Sequence, residues 1–242
     1  MVYLDGYVAV FWLAGTIKKM NEPNDKLERE ILSKGYLRIA GIDECGRGSA
    51  AGPASVGVVV VDLKTLNTLP PAGIKDSKLL SPKQRKGLTK PIKDWVTEYA
   101  VGHSYPDEID RIGINKALRS AARRALAELD KVDVVILDGK FNWLASDQTN
   151  IIVNGVDINN HQRNNCEIDT IMKIGADLSC ISVAAASILA KVSHDSHMVE
   201  LEEMYPGYGW TQHNGYLTEY HKNAIKVKGL SPAHRRTWKI IE

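Results

Sequence analysis

Two apolar stretches of this 242-residue chain end in carboxylates. The stretch "YLRIAGIDE" ends in Asp43 and Glu44, and in "VDVVILDG" the apolar run from Val134 to Leu137 is followed by Asp138. Short apolar runs rich in β-branched residues are typical of strands that are buried on both faces. The sequence therefore predicts a sheet in the interior of the protein, with acidic side chains where two of its strands end.

The order of the predicted elements indicates an α/β fold with a mixed sheet. Further strands are predicted over "ASVGVVVVD", "WVTEYAVGHS" and "IDTIMKIGAD". Only turns or one short helix separate the first three strands, which favours an antiparallel meander. Helices are predicted over residues 28–35, from Ser81 to about Lys93, along the apolar face from Ile114 to Leu129, over residues 182–205 and from about Thr218.

The segment "GIDECGRGSAAGP" resembles a phosphate-binding glycine loop, but its context excludes a nucleotide cofactor. Gly46, Gly48 and Gly52 give G-x-G-x-x-x-G, which is one residue longer than the dinucleotide fingerprint. The chain continues from Pro53 into a valine-rich strand, whereas a cofactor loop opens a helix. What remains of chemical interest in this segment is the carboxylate pair Asp43 and Glu44.

Adjacent carboxylates repel one another unless a cation lies between them or one of them takes a proton. A hard divalent cation with oxygen ligands removes this repulsion. Asp138 ends a second strand, and Asp177 lies between the last predicted strand and the long alanine-rich helix. Taken singly, each acid is accounted for by a turn or a helix cap. Taken together, they indicate a two-metal site for phosphoryl chemistry.

The charge distribution leaves two interpretations of the C-terminal segment open. The whole chain has a net charge of only +2, but residues 204–241 carry six Lys or Arg and one acid. Such a basic segment is typical either of a polyanion-binding surface or of a solvated helix.

The cysteine pattern and the lack of a targeting segment predict a cytoplasmic protein without a membrane anchor. Three cysteines occur without CxxC spacing, which is unlike a disulfide framework. The apolar run at residues 7–15 is too short to span a bilayer and follows no basic region.

Several sequence blocks, in order, resemble type 2 ribonuclease H, also called ribonuclease HII. The resemblance extends from about residue 28 to 239, and "YPGYGW" and "HRRTW" are most similar to the actinobacterial branch. The blocks are "GIDECGRG", "DSKLLSPKQR", "DEIDRIGINKA", "LDG", "ADLSCISVAAASILAKVSHD" and "YPGYGWTQHNGY" through "SPAHRRTW".

The resemblance implies a ribonuclease H-like mixed five-stranded sheet flanked by helices, with a small helical C-terminal region. It divides the chain into an N-terminal extension (1–27), a catalytic domain (28–203) and a substrate-binding region (204–242). The implied enzyme is a monomer that uses Mg²⁺ or Mn²⁺. It cuts RNA–DNA hybrids, or duplex DNA with embedded ribonucleotides, on the 5′ side of a ribonucleotide and leaves 3′-hydroxyl and 5′-phosphate ends.

The resemblance also assigns roles to residues. The catalytic metal ligands would be Asp43, Glu44, Asp138 and Asp177. The substrate-binding residues would be Gly46, Arg47 and Gly48 as the loop that senses the 2′-hydroxyl, Tyr216 stacking on the sugar, and Ser77 and Lys78 near the nucleic-acid backbone. Reading a 2′-hydroxyl is how a protein distinguishes RNA from DNA at one nucleotide.

The chain departs from the family pattern in places. Cys45 and Ser49 stand where small apolar residues or proline are expected, and residues 140–166 form a longer link than usual. Asp147, Asp157 and Asp169 lie in or near this link and are alternatives for the fourth ligand. The spacing from Asp177 to "AAAS" favours Asp177.

The histidines and aromatic residues near the C-terminus allow other interpretations. A zinc site is not supported by the spacing, so His194, His197, His213, His221 and His234 are predicted to face solvent or nucleic acid. The other aromatic residues of this region (Tyr205, Tyr208 and Trp210) are predicted to be core, in contrast to Tyr216.

Two other functions remain as alternatives. One is a different nuclease of the same fold, such as a type 1 hybrid ribonuclease or a junction resolvase. The other is a catalytically silent nucleic-acid-binding protein. The "GRG" segment and Tyr216 argue against the first, and the presence of all four acids argues against the second.

Overall fold

The computed structural model describes residues 22–145, 152–153, 156–157 and 168–238. Its strands are β1 (Ile39–Cys45), β2 (Ala54–Val61), β3 (Glu98–Ser104), β4 (Val134–Asp138), β5 (Ile152–Val153), β6 (Val156–Asp157) and β7 (Asp169–Lys173). Its helices are α1 (Lys26–Ser33), α2 (Leu63–Leu66), α3 (Pro82–Trp95), α4 (Pro106–Ile112), α5 (Ile114–Ala127), α6 (Ala176–Ser179), α7 (Ile181–Met204), α8 (Trp210–His213) and α9 (Glu219–Lys228).

Five of the strands form one mixed sheet in the order β3-β2-β1-β4-β7. The first three strands pair antiparallel, as the meander prediction requires. The parallel pairs are β1 with β4 and β4 with β7. The predicted α/β fold with a mixed five-stranded sheet is therefore confirmed, and the parallel half brings the carboxyl ends of β1, β4 and β7 to one edge.

Alternate residues of the central strands face two separate layers of the core. Ile39 and Val59 contribute to the layer under α7, while Ala40 and Val58 contribute to the layer under α5. Every residue of β2 is buried. The near-continuous apolar strands of the sequence therefore reflect burial on both faces of the sheet.

Glycines in the strands allow the helices to approach the sheet closely. A Cβ atom added at Gly102 of β3 would lie 1.9 Å from the carbonyl oxygen of Ala121 in α5. At Gly87, within α3, an added Cβ would meet nothing within 4 Å. The two positions form a matched pair for substitution by alanine. The added methyl group would clash with the backbone of α5 at Gly102 and would meet no other atom at Gly87.

We expect Gly102→Ala to lower the free energy of unfolding by about 1–3 kcal/mol or more, because α5 must move away from the sheet. Gly87→Ala should raise it by up to about 1 kcal/mol, through higher helix propensity. Urea unfolding of both variants measures the difference. Equal free energies for the two variants would show that the packing of α5 on β3 is looser than described.

The C-terminal region is a small helical unit with its own apolar core. Tyr208 and Trp210 are buried there and stack with ring centroids 4.8 Å apart, and Tyr205 packs against this core. The prediction that these aromatic residues are core is confirmed. Tyr216 is 50% exposed, as predicted.

Three of the histidines lie elsewhere than predicted. His194, His221 and His234 are buried and therefore do not face solvent or nucleic acid. His221 and His234 are hydrogen bonded to one another and to neighbouring groups of the C-terminal unit. For His221 and His234 the reason is that local partners satisfy the ring nitrogens, which makes burial of a neutral imidazole tolerable. His194 instead packs beneath Gly46, with its Nδ1 3.5 Å from Oδ1 of Asp195.

Residues just before the predicted domain boundary at residue 28 are hydrogen bonded to the segment that leads into α7. The backbone N–H of Asn24 donates to Ser179, and the N–H of Ile181 donates to Asn24. Glu28 is buried and accepts hydrogen bonds from the backbone and hydroxyl of Ser182 at the start of α7. Residues 1–21 of the predicted extension lie outside the described residues.

Most of the predicted excursion between residues 140 and 166, including Asp147, also lies outside the described residues, apart from its first six residues and the short pair β5 and β6. In the portions of the chain that the structure does describe, no helix is both long and apolar enough to cross a membrane.

Candidate active site

The strand register places two of the predicted acids side by side. Ile42 pairs with Leu137 across the parallel strands β1 and β4. The next residues are Asp43 and Asp138, so both follow directly from the same rung of the sheet. Glu44 continues β1 by one residue, and its side chain points to the other face of the strand.

Asp177 reaches this edge through the turn after β7. The backbone N–H of Ala176 donates to Oδ1 of Asp138 at 2.8 Å, which fixes the start of α6 against the end of β4. Asp177 is the next residue and is buried. The structure therefore brings all four predicted acids to one edge of the sheet, from β1, β4 and α6.

Burial and mutual repulsion disfavour the charged forms of three of these acids. Burial, together with the charge of Glu44 and the more distant acids, raises the pKa of Asp43 to about 8, although a hydrogen bond with the Ser187 hydroxyl acts in the opposite direction. Burial is also the main reason that the pKa values of Glu44 and Asp177 are raised, and Asp138 adds to both shifts.

The neighbouring cations compensate for this negative charge only in part. Nη1 of Arg47 lies 3.3 Å from Oε1 of Glu44, and Nζ of Lys78 lies 3.5 Å from Oδ2 of Asp177. Both contacts are long for ion pairs, and the Lys78 side chain is 75% exposed. A cluster of acids with so little compensation is typical of a site for divalent cations.

The donor set fits hard cations such as Mg²⁺ or Mn²⁺, because it offers carboxylate oxygens. No three His, Cys, Asp or Glu side chains of the described ranges are already arranged around a common point as a finished cation site. The fit therefore rests on the type, number and mutual repulsion of the carboxylates.

The raised pKa of Asp43 predicts a pH-dependent stability of the protein in EDTA. The group is protonated in the folded state up to about pH 8 but ionised in the unfolded chain above its ordinary value of 3.8, so stability falls as pH rises between these values. His103 and His234, with pKa values lowered to about 4, reduce stability only below about pH 6.5. Between pH 6.5 and 8 the titration of Asp43 therefore determines the change in stability.

We expect the Tm in EDTA to fall by roughly 3–6 °C from pH 6.5 to 8, and Asp43→Asn to flatten this slope. Differential scanning calorimetry provides the measurement. Asp169→Asn, which removes an acid bound to Tyr36 Oη at 2.7 Å, should keep the slope. An unchanged slope in Asp43→Asn would mean that the buried charge lies elsewhere.

The loop of Gly46, Arg47 and Gly48 follows directly after β1. Gly46 has φ +78°, and an added Cβ would lie 2.5 Å from Nε2 of the buried His194. Only glycine suits this position, since both the backbone conformation and the space exclude a side chain. Gly48 is exposed, and a Cβ there would lie 3.5 Å from Cε1 of Tyr216. The structure thus places Tyr216 beside the predicted sensing loop.

Ser77 and Lys78 differ in their exposure. Ser77 is buried, and its Oγ lies 2.9 Å from Oγ of Ser187, the residue that also contacts Asp43. Its hydroxyl therefore faces the back of the acid cluster, while Lys78 extends toward solvent. Contact of either residue with nucleic acid stays a prediction.

The structure separates Asp177 from an alternative fourth ligand. Asp169 lies at the start of β7, the opposite end of that strand, where it accepts a hydrogen bond from Tyr36. No side-chain position is described for Asp157, which lies in β6.

Sequence reasoning did not identify Ser187 or Arg235 as part of the site. Ser187 lies in the "AAAS" block and contacts Asp43. Arg235 lies in the basic C-terminal segment but is fully buried under the glycine loop. The one sign that these residues belong to the site was their position within sequence blocks that carry the family resemblance. Neither a serine nor an arginine is a residue type from which burial would be predicted.

Most of the chain is similar to known proteins of one family. A family profile described as Ribonuclease HII matches residues 40–241. A ribonuclease HII of Streptomyces avermitilis is 39% identical over 222 residues, which is 91% of this chain and 85% of that protein. This similarity agrees with the predicted likeness to the actinobacterial branch.

Solved structures show the same fold. Ribonuclease H2 from Pyrococcus horikoshii OT3 is 28% identical, with a TM-score of 0.64, and the match covers 84% of this chain and 95% of that chain. Bst-RNase HIII in complex with Mn²⁺ is 21% identical, with a TM-score of 0.62 and coverage of 84% of this chain and 67% of that chain. The second similarity supports the fold alone.

Proposed function

We propose that this chain, which belongs to the ribonuclease HII family of metal-dependent nucleases, cuts the phosphodiester on the 5′ side of a ribonucleotide. Its substrates would be duplex DNA with embedded ribonucleotides and RNA–DNA hybrids, and its products would end in 3′-hydroxyl and 5′-phosphate. The observation that carries the proposal is the convergence of Asp43, Glu44, Asp138 and Asp177 beside Tyr216 and a glycine loop whose Gly48 is exposed.

In this proposal the acids hold Mg²⁺ or Mn²⁺. When bound, such ions supply a water of lowered pKa and stabilise charge on the leaving oxygen. Asp43 and Asp138 are suited to hold the ions, since both extend from a rigid sheet and Asp138 is fixed further by the N–H of Ala176. The ribonuclease HII family profile that matches residues 40–241 supports this class of cation.

The chain's own residues would recognise the ribonucleotide and hold the phosphate. The backbone of the loop from Gly46 to Gly48 can come close to the 2′-hydroxyl because no Cβ stands in the way at Gly48. The carbonyls of Gly46 and Arg47 accept hydrogen bonds from Arg235, which leaves the N–H groups and the carbonyl of Gly48 for this contact. The Tyr216 ring, half exposed beside Gly48, is available to stack on the sugar. Lys78 extends from Asp177 into solvent and can hold a phosphate oxygen.

Arg47 has a second partner that orients it. Its Nη2 donates to Oδ1 of Asn115 at 2.6 Å while Nη1 faces Glu44. The guanidinium is thus aimed along the edge that carries the acids and is available to a phosphate in a fixed fork geometry.

We also propose that the protein acts as a monomer, as the resemblance to the family implies. The cysteine pattern supports a cytoplasmic location. The basic residues of the C-terminal segment, apart from the buried Arg235, would add salt-dependent affinity for the phosphate backbone.

A panel of three labelled duplexes tests the proposal: one with a single ribonucleotide, one continuous RNA–DNA hybrid and one of DNA alone. We expect Mg²⁺-dependent cleavage of the first two and none of the third. Cleavage of the hybrid alone would favour a type 1 activity. Binding without turnover in Mg²⁺ and Mn²⁺ would favour the silent nucleic-acid-binding protein.

A further inference from the structure

Arg235 lies beneath the glycine loop and joins it to residues 52 and 53, which precede β2. Its guanidinium is fully buried, and all of its hydrogen bonds in the described structure go to backbone carbonyls. Nη2 donates to Gly46 at 2.6 Å and to Pro53 at 2.9 Å, Nη1 to Arg47 at 3.0 Å, and Nε to Gly52 at 3.1 Å. A planar fork with five donors can hold four carbonyls in one arrangement, and a lysine ammonium cannot.

Tyr216 is fixed through its own backbone by a chain of buried rings. Its carbonyl oxygen lies 3.0 Å from Nδ1 of His221, and Nε2 of His221 lies 2.9 Å from Nε1 of Trp210 and 3.1 Å from Nε2 of His234. The N–H of Ser231 donates to Nδ1 of His234, which places the proton of His234 on Nε2. The Nε2 of His221 is therefore the acceptor, and its Nδ1–H donates to Tyr216.

Burial supports these proton positions, because it lowers the pKa of both imidazoles and keeps them neutral at neutral pH. With His221 protonated on Nδ1 and His234 on Nε2, each contact in the chain has a donor and an acceptor, and Trp210 and His234 share the single lone pair of His221 Nε2. The orientation of the Tyr216 backbone is thus set by the Nδ1–H of one histidine.

The loop and the tyrosine are joined directly as well. The N–H of Ala50 donates to the carbonyl of Gly215 at 2.8 Å, and Oγ of Ser49 donates to the carbonyl of Asn214 at 2.9 Å. The N–H of Arg235 donates to the carbonyl of Ala50 at 2.8 Å. The segments before Tyr216, after Gly48 and around Arg235 therefore form one hydrogen-bonded unit.

We propose that Arg235 and His221 are positioning residues for ribonucleotide recognition: Arg235 fixes the carbonyls of the glycine loop, and His221 fixes the backbone of Tyr216, so that the two halves of the recognition site are arranged before the substrate binds. This inference rests on the proposed function. Neither side chain touches the nucleic acid, and both act by preorganising the groups that do.

Binding experiments in EDTA test this inference without cleavage. The quantity is the ratio of the Kd for an all-DNA duplex to the Kd for the same duplex with one ribonucleotide. Arg235→Lys keeps the charge and loses the fork. His221→Gln keeps an acceptor for Trp210 and loses the donor to Tyr216, whereas His221→Asn carries its amide N–H near the Nδ1 position and keeps that donor.

We expect the ratio to fall about 10-fold in Arg235→Lys and His221→Gln, with the all-DNA Kd nearly unchanged. His221→Asn should keep most of the ratio. Arg124→Lys is the matched control, because Arg124 also donates twice to a backbone carbonyl, that of His103, but lies away from the loop.

The Tm of each variant separates positioning from folding. Equal losses of affinity for both duplexes, together with a lowered Tm, would show a merely structural role and overturn the inference. An unchanged ratio in Arg235→Lys and His221→Gln would overturn it as well. A wild-type protein that does not distinguish the two duplexes would instead refute the proposed function.

Discussion

Asp138→Asn is expected to lower the cleavage of a duplex with one ribonucleotide by at least about 10³-fold, because it removes charge stabilisation worth several kcal/mol. Asp138 extends from β4, which lies between β1 and β7 in the sheet, and shares its edge with Asp43 and Asp177. Asparagine keeps an oxygen for the N–H of Ala176, so the start of α6 should stay in place. Steady-state kinetics with Mg²⁺ measure the loss.

Binding of the duplex by Asp138→Asn should stay within a few-fold of wild type, because the loop and Tyr216 are not altered. Asp43→Asn should show the same separation of cleavage from binding. Asp169→Asn is the control and should cleave normally, since Asp169 lies at the other end of β7. Undiminished cleavage in Asp138→Asn would refute the four-acid site.

Tyr216→Ala is expected to lower kcat/KM on a single embedded ribonucleotide by about 10- to 100-fold, the range of lost aromatic stacking. Tyr216→Phe should retain most of the activity, because the ring remains. The measurement is kcat/KM on the duplex with one ribonucleotide, with the Tm as a check of folding.

Tyr220→Ala serves as the matched control for Tyr216→Ala. Tyr220 is a comparably exposed tyrosine on α9, at 56% against 50% for Tyr216. Its removal should leave kcat/KM nearly unchanged. Equal losses in both variants would show that Tyr216 contributes to the stability of the C-terminal unit and not to recognition.

The sheet and the acid edge could be predicted because their causes are local. Burial on both faces of the sheet requires near-continuous apolar runs rich in β-branched residues, and such runs are visible at β2 and β4. Asp43 and Asp138 then follow from the strand ends. The position of Asp177 could not be predicted from a strand end in the same way, because it lies in the short helix α6 beyond β7. It reaches the edge through the contact of Ala176 with Asp138.

The support beneath the site could not be predicted because it depends on long-range packing. Arg235 belongs to a segment whose composition indicates a solvated or phosphate-binding surface. Its side chain is nevertheless buried, because it donates hydrogen bonds to the carbonyls of Gly46 and Arg47. His221 and His234 were predicted to face solvent or nucleic acid because their spacing does not support a zinc site. Their burial depends on partners that are close only after the C-terminal unit has folded over residues 46–53.

The most direct test of the central claim is to map the cut in a duplex with one ribonucleotide and to determine the end groups in the presence of Mg²⁺. We predict cleavage on the 5′ side of the ribonucleotide, with a 3′-hydroxyl that a DNA polymerase extends without further treatment. A cut on the 3′ side that leaves a cyclic phosphate would contradict the account, because the 2′-hydroxyl and not a water would then be the nucleophile.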